Sequence, residues 1–373
     1  MGKRKSSMGF MEDEKGRKQI NTMIDLSFYN GKKVFITGHT GFKGSWLCRI
    51  LLNAGANITG YSLKPSANNS LFDQLNLEKQ IYSIIADITD TATLSKAVVN
   101  SMPEIIFHLA AQPLVRASYQ DPSLTYMTNV MGTVNILEAA RLAPLVRSFV
   151  NVTTDKVYEN REWNWGYREI ENLCGFDPYS NSKSCSELIT YSYRNSFFQG
   201  INSPSLSTAR SGNVIGGGDY SENRIIPDCI RAAISGSDII LRNPNSTRPY
   251  QYILDTLYGY LLLAEKQYSS KKIAGAYNFG PNEENNLSNS ELAQIFCDNW
   301  GSKLSWITNN DQDSPHEANY LKLDSSKSRS VLGWRPQINI INAVKNIIEF
   351  AKCSTNEERA ACIDRQIKEY FIN

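Results

Sequence analysis

At 373 residues, 41% hydrophobic and 20% charged, the chain can bury one large core or two smaller ones. A net charge of +2 leaves no electrostatic footprint for nucleic acid or a membrane surface, and no run is long and apolar enough to span a bilayer. Seven scattered cysteines without a Cys-x-x-Cys exclude a disulfide framework, and three dispersed histidines offer no metal site, so a reduced, cytoplasmic protein without metal is expected.

Residues 1–22 are polar and charged, with a basic start but no apolar stretch of signal-peptide type. They read as a disordered extension, or as a start placed upstream of Met23, where recognisable patterning begins. Val34 to Thr37 is a short apolar run suited to a buried parallel strand. Gly38, Gly41 and Gly44 follow at three-residue spacing, and Trp46-Leu-Cys-Arg-Ile-Leu-Leu52 is a helix pattern. A strand that turns on glycines into a helix aims free N–H groups and the positive helix end at one point, where a pyrophosphate fits. This Gly-x-x-Gly-x-x-Gly form resembles the short-chain dehydrogenase/reductase superfamily.

Asn57 to Ser62 is the second expected strand. Its end carries Tyr61-Ser62-Leu63-Lys64 and lacks the acid that selects NAD by holding a ribose hydroxyl. Ser62 can bond a ribose while Lys64 suits a 2′-phosphate, so NAD is expected with NADP as the alternative. Ile81 to Ala86 leads into Asp87-Ile88, where the superfamily meets the adenine. A helix is expected over Thr91 to Asn100, a strand over Ile105 to Leu109, a helix over Thr125 to Arg141 and a strand over Arg147 to Val152. Strands and helices alternating at about 25–30 residues predict an α/β fold, a doubly wound parallel-sheet Rossmann domain. His108 reads as a packed histidine beside the crevice, and small Ala110-Ala111 after a strand end lets a cofactor lie close. The resemblance implies that Gly38, His39, Thr40, Gly41, Phe42, Lys43 and Gly44 line the cofactor. Ser62, Asp87, Ile88, Leu109, Ala110, Ala111, Thr153, Tyr179 and Lys183 would continue that lining.

Tyr179-Ser-Asn-Ser-Lys183 opens a helix running to about Phe198. Four residues is about one turn, so both side chains share a face. An ammonium beside a phenol favours the phenolate, lowering its pKa from about 10 towards neutrality and making a base for a sugar hydroxyl. With Thr154 at a strand end about 25 residues earlier, this forms the Ser/Thr-Tyr-Lys set of the superfamily.

Asp155 and Lys156 narrow the resemblance to the sugar-nucleotide 4,6-dehydratases, and Thr154-Asp-Lys156 looks like their CDP-glucose branch. Thr37-Gly-His-Thr-Gly-Phe-Lys-Gly-Ser-Trp46, Ala209-Arg-Ser-Gly-Asn-Val-Ile-Gly-Gly-Gly-Asp219, Arg248-Pro-Tyr-Gln-Tyr-Ile-Leu-Asp255 and Leu332-Gly-Trp-Arg-Pro336 agree with it. The resemblance implies oxidation at C4, loss of water across C5–C6 and return of the hydrogen to C6. Tyr179 would be the first base, Asp155 the acid for the departing 6-hydroxyl, and Lys156 either a desolvated base or an electrostatic partner of the enolate. The competing readings are a GDP-mannose or heptose dehydratase, an epimerase, and a non-catalytic dinucleotide-sensing protein.

Beyond about 205 the pattern loosens. Gln112, Arg116, Arg210, Asn213, Arg224 and Arg248 are the expected substrate contacts, arginine being suited to a diphosphate by its two-pronged fork. Leu292 to Trp300 and Ile340 to Ala351 have amphipathic helical spacing, His316-Glu317 lies in a loop that can close over a substrate, and Cys353 to Asn373 reads as a terminal helix. Residues 23–205 are expected to be mainly a NAD-binding Rossmann domain. Residues 206–373 are expected to be mainly a smaller α/β nucleotide-sugar part, with segments returning to the first. Homodimerisation through the helices near 125–141 and 179–198 is the implied assembly.

Overall fold

The computed structural model describes residues 26–65, 69–301, 304–308 and 320–372. The extension at 1–22 and the His316-Glu317 loop lie outside these residues.

Seven parallel strands form the main sheet. In chain order they are β1 (Lys33–Thr37), β2 (Asn57–Ser62), β3 (Tyr82–Ile85), β4 (Ile105–His108), β5 (Ser148–Val152) and β6 (Ser205–Ser211). After the short β7 (Asn213–Ile215), β8 (Ile239–Leu241) and β9 (Thr247–Tyr252), β10 (Ala276–Phe279) returns as the seventh strand. The spatial order is β10-β6-β5-β4-β1-β2-β3. The chain starts at β1, winds outward to β3, then crosses back to β4 on the other flank of β1. Strand order reverses there, and a doubly wound sheet places its ligand crevice at the carboxyl ends of the two strands flanking such a switch point.

Alternation along the strands decides which side chain faces which layer. Val34, Ile36, Ile105, Phe107 and Val150 pack with the helices Phe42–Asn53 and Ile253–Ser269. Phe35, Ile106 and Phe149 pack with Thr91–Ser101 and Gly132–Arg141. The expected Thr125–Arg141 helix is Pro122–Tyr126 continued through a π turn at Met127–Met131 into Gly132–Arg141.

Beyond β6, the central β9 pairs with β7 and with β11 (Asn286–Ser288) in a three-stranded sheet, and β8 pairs with β12 (Trp306–Thr308). The helices Asn289–Trp300, Ile340–Lys352 and Asn356–Ile372 match the expected positions. The last is tied down by a buried carboxylate: Asp255 accepts from Tyr370 Oη at 2.6 Å and from the Gln337 and Ile338 amides at 2.7 and 3.3 Å.

Candidate active site

The glycine turn after β1 has three separate steric demands. Gly38 has φ +75°, a left-handed conformation, and a Cβ there would lie 2.7 Å from the Ala110 amide. A Cβ on Gly44 would land on the Gly38 carbonyl, so this glycine lets the helix pack onto its own turn. Gly41 is different: it is exposed, and its Cβ would meet only the Gly38 oxygen at 3.4 Å. It caps the Phe42–Asn53 helix without any side-chain hydrogen bond, leaving the first N–H groups open. A missing side chain at the one open position, over an uncapped helix end, fits a pyrophosphate.

Around this turn, Thr37 Oγ1 accepts from the Leu109 and Ala110 amides at 3.1 Å each, tying the two strand ends together. Thr40 Oγ1 donates to Leu63 O and lies 2.9 Å from Ser62 Oγ. The Asp87 carboxylate is exposed and accepts from Thr89 N and Oγ1, while Ile88 is buried and packs towards Gly132. His39 departs from expectation. Its ring is buried under Gly60, edge-on to Phe72, with Nε2 2.7 Å from Ser83 Oγ, so it faces the protein rather than the crevice. Burial pulls its pKa down to about 4, so the ring is neutral. His108 is likewise structural, with Nδ1 2.7 Å from Thr37 Oγ1 and Nε2 3.3 Å from Thr133 Oγ1.

The second wall of the crevice is the helix Pro178–Ser196. Asp177 caps it through the Ser180 amide, and Pro178 occupies its first turn, where no N–H is needed. The Tyr179 amide donates to Ser118 Oγ at 3.1 Å, and Lys183 Nζ donates to Val152 O at 3.2 Å, anchoring the lysine on the end of β5. From the π turn, Asn129 clamps the Gln112 backbone by two hydrogen bonds and donates to Ser182 Oγ at 2.9 Å. A π turn commonly marks a functional stretch, but neither this clamp nor Ser118 has a signature in the sequence.

After β5, Thr154 Oγ1 donates to Asp155 Oδ1 at 2.9 Å and also bonds the Tyr179 side chain. Asp155 is 1% exposed, and its buried Oδ2 has no hydrogen-bond partner among the described residues. Burial raises its pKa against the downward pull of Lys156, Thr154, Arg248 and Lys43. The Asp155 carboxyl is therefore biased towards the protonated form. Lys156 is half-buried beside it.

Two electrostatic features depart from the sequence reading. Burial of the Tyr179 hydroxyl pushes its pKa up to about 12, the Thr154 bond and Arg224 pulling the other way. In the protein alone the phenol thus stays neutral, because the enclosing apolar surface outweighs the nearby cations. The other feature is Lys43, whose ammonium reaches past the turn to donate to Ser211 Oγ at 3.0 Å and Tyr260 Oη at 3.4 Å. Burial, with Arg224 and Lys183 nearby, brings it down to about 7.

Of the expected substrate contacts, Arg224 and Arg248 converge on this centre. Arg224 pairs with Asp219 at 2.9 Å and acts on Lys43 and Tyr179, while buried Arg248 acts on Asp155. Asn213 begins β7, opposite Tyr250 of β9. Arg116 lines a small cavity of about 90 Å³ with Asn223, Asp228, Arg242 and Asn289. Two assignments are corrected. Arg210 is 2% exposed, and its guanidinium is engaged by Glu187 and Tyr158 beneath the sheet end. The Gln112 side chain is taken up by Thr125 Oγ1 and the Leu114 amide. Among the described residues, no group of three or more His, Cys, Asp or Glu is placed to hold a metal.

Known proteins resemble this chain along nearly its whole length. It is 44% identical over 355 residues to a CDP-glucose 4,6-dehydratase from Salmonella typhimurium, spanning 94% of this chain and 99% of that protein. It is 25% identical to a dTDP-glucose 4,6-dehydratase from Shigella flexneri over 87% of this chain and 94% of the relative. A solved dTDP-glucose 4,6-dehydratase from Streptomyces venezuelae, with NAD bound, superposes with TM-score 0.72 at 22% identity, covering 91% of this chain and 98% of that one. A UDP-glucuronic acid 4-epimerase from Bacillus cereus does so with TM-score 0.73 at 22% identity, covering 86% and 98%. A family model described as GDP-mannose 4,6 dehydratase matches residues 35–347, and the chain belongs to that family.

Proposed function

We propose that this chain converts CDP-D-glucose to CDP-4-dehydro-6-deoxy-D-glucose, using NAD that ends each cycle as it began. The observation that carries a dehydratase over an epimerase is Asp155. An epimerase needs no second acid after the threonine, whereas loss of the 6-hydroxyl needs a proton donor. Here a buried carboxyl, biased towards its protonated form, has one oxygen held by Thr154 and the other unpartnered. The 44% identity to a CDP-glucose 4,6-dehydratase supports the choice of nucleotide and sugar.

When bound, NAD supplies an acceptor for the C4 hydrogen, carries a positive charge in its oxidised form and returns the hydrogen at C6. Gly38, Gly41 and Gly44, with the open helix end, are the residues that would hold it, lined further by Ser62, Leu109, Ala110, Ala111 and Thr153. Tyr179 takes the proton of the 4-hydroxyl, assisted by the Lys183 charge, while Thr154 holds that oxygen. A phenol at about 12 is a weak acid for this task, so the reaction relies on added positive charge to ionise it. Once C4 is a ketone the C5 proton is acidic, and Lys156 in its amine form removes it as Asp155 protonates the leaving hydroxyl; the proton gained by Lys156 goes back to C5 as C6 regains its hydrogen. Arg248 binds the diphosphate, and Asn213 and Arg224 the nucleotide-sugar.

Several exposed apolar side chains support a homodimer. Leu124, Met127 and Met131 lie on one helix and Leu188 and Tyr191 on Pro178–Ser196, the pair expected to form the interface. Sedimentation would read this directly, a monomer at micromolar concentration refuting it. No helix among the described residues is long and apolar enough to cross a membrane, and all seven cysteines are free, in keeping with the cytoplasm.

The test is turnover of CDP-glucose beside GDP-mannose, dTDP-glucose and UDP-glucose, read as loss of one water by mass. Conversion of CDP-glucose is expected, and conversion of a GDP-sugar alone would overturn the assignment.

A further inference from the structure

Beneath the reaction centre lies a buried ion pair that the proposed chemistry does not use. Glu187 is one helical turn beyond Lys183, as Lys183 is one turn beyond Tyr179, so the three share a face of Pro178–Ser196. Both Glu187 oxygens are saturated. Oε1 accepts from Thr153 Oγ1 at 2.5 Å and Arg210 Nε at 2.9 Å, and Oε2 accepts from Thr208 Oγ1 at 2.6 Å and Arg210 Nη2 at 2.8 Å. Arg210 is fixed in turn by Tyr158, its Nη1 donating to the Tyr158 oxygen at 2.7 Å while that hydroxyl donates to Asn278 Oδ1.

We propose that Glu187 is a positioning residue for the reaction centre: gripped by Arg210, it holds Thr153 and thereby the β5 end bearing Thr154, and it sets a carboxylate one helical turn from Lys183.

A buried ion pair is weak evidence for added stability, because desolvating two charges offsets their attraction. The geometry gives this pair a different use. Thr153 precedes Thr154, so a carboxylate holding its hydroxyl fixes the backbone from which Thr154 and Asp155 project. The same carboxylate faces Lys183 across a turn. Lys183 is otherwise faced by cations or neutral groups: Lys43 from the glycine-turn helix, His108 from β4 and the Tyr179 phenol. Glu187 is itself faced by Arg210 from β6, Tyr158 and Arg194. Burial lowers Lys183 to about 8, and Glu187 is the carboxylate that works against this.

This inference rests on the reading of Tyr179 and Lys183 as the proton-handling pair. The experiment isolates the first step, which does not use the Asp155 proton, as cofactor reduction in a single turnover with CDP-glucose from about pH 6 to 10. Wild type run alongside tests the pair: no reduction there would sink the underlying reading, not the role of Glu187. In Glu187→Gln the alkaline limb is expected to move down by about one pH unit, with the rate falling about tenfold and substrate affinity held within about threefold. Because Glu187→Gln leaves Arg210 buried and unpaired, the double variant E187M/R210M is measured as well; an apolar replacement of both partners commonly preserves the fold. A downward shift in the folded variant or variants supports the proposal. A limb that stays in place while melting temperature and rate fall at every pH assigns Glu187 to structure alone and overturns it.

Discussion

Replacing Asp155 by Asn separates the steps of the proposed reaction within one protein. The side chain is 1% exposed, with Oδ1 accepting from Thr154 at 2.9 Å and Oδ2 unpartnered among the described residues. An asparagine has the same shape, keeps the Thr154 bond through its own oxygen and places an NH₂ where no partner is lost. The fold is therefore expected to persist, while the proposed proton donor is gone. Removing a general acid costs roughly 100- to 10,000-fold in rate, or about 3–5 kcal/mol of barrier. That loss should fall on water elimination alone, because the 4-hydroxyl proton is assigned to Tyr179. Rapid mixing with CDP-glucose should show cofactor reduction at close to the wild-type rate, and mass spectrometry should show almost no dehydrated product. In wild type the acid must be protonated to act, so elimination should weaken as pH rises through the Asp155 pKa, which burial raises. Dehydration by D155N at near wild-type speed, or equal loss of both steps, would refute the assignment.

The glycine turn gives a paired prediction: Gly41→Ala should melt like wild type yet bind the dinucleotide at least tenfold more weakly, whereas Gly44→Ala should lose fold and binding together. Equal melting of the two would count against this steric account. Lys156→Met should still reduce the cofactor but lose exchange of the C5 proton with deuterated solvent; unchanged exchange removes it as the base. Asp255 makes a pH prediction. Burial holds its folded pKa at about 7, above the unfolded value, so its contribution is fully present below about pH 4 and is lost as pH rises through 7. Asp255→Asn does not titrate, so the melting temperature of wild type minus that of the variant should shrink from pH 5 to pH 8, and a widening gap would reverse the sign of the argument.

Local patterning made the first half of the fold legible. β1, β4 and β5 hold short apolar runs, and the glycine turn announces itself by spacing. Later elements were harder to read for physical reasons. β6, Ser-Leu-Ser-Thr-Ala-Arg-Ser, is buried throughout yet mostly polar, its hydroxyls answered by Glu187, Gln267 and Tyr260 rather than by apolar neighbours. The helix Ile253–Ser269 is buried on nearly every side and so lacks the amphipathic period that marks a surface helix. Arg210 was misplaced because a motif gives a position without the direction of its side chain, which here points under the sheet. The Tyr179–Lys183 spacing gave the shared helix face but overstated the lysine's effect on the phenol. Four residues fix a shared face, whereas the pKa follows from burial that only the assembled crevice supplies.

The central claim is that a hydrogen taken from C4 of the sugar is returned within the same site to C6. CDP-glucose carrying deuterium at C4 should give a 4-keto-6-deoxy product with that deuterium in its methyl group. Label lost to solvent, or still at C4 in recovered sugar after extended incubation, would contradict the account.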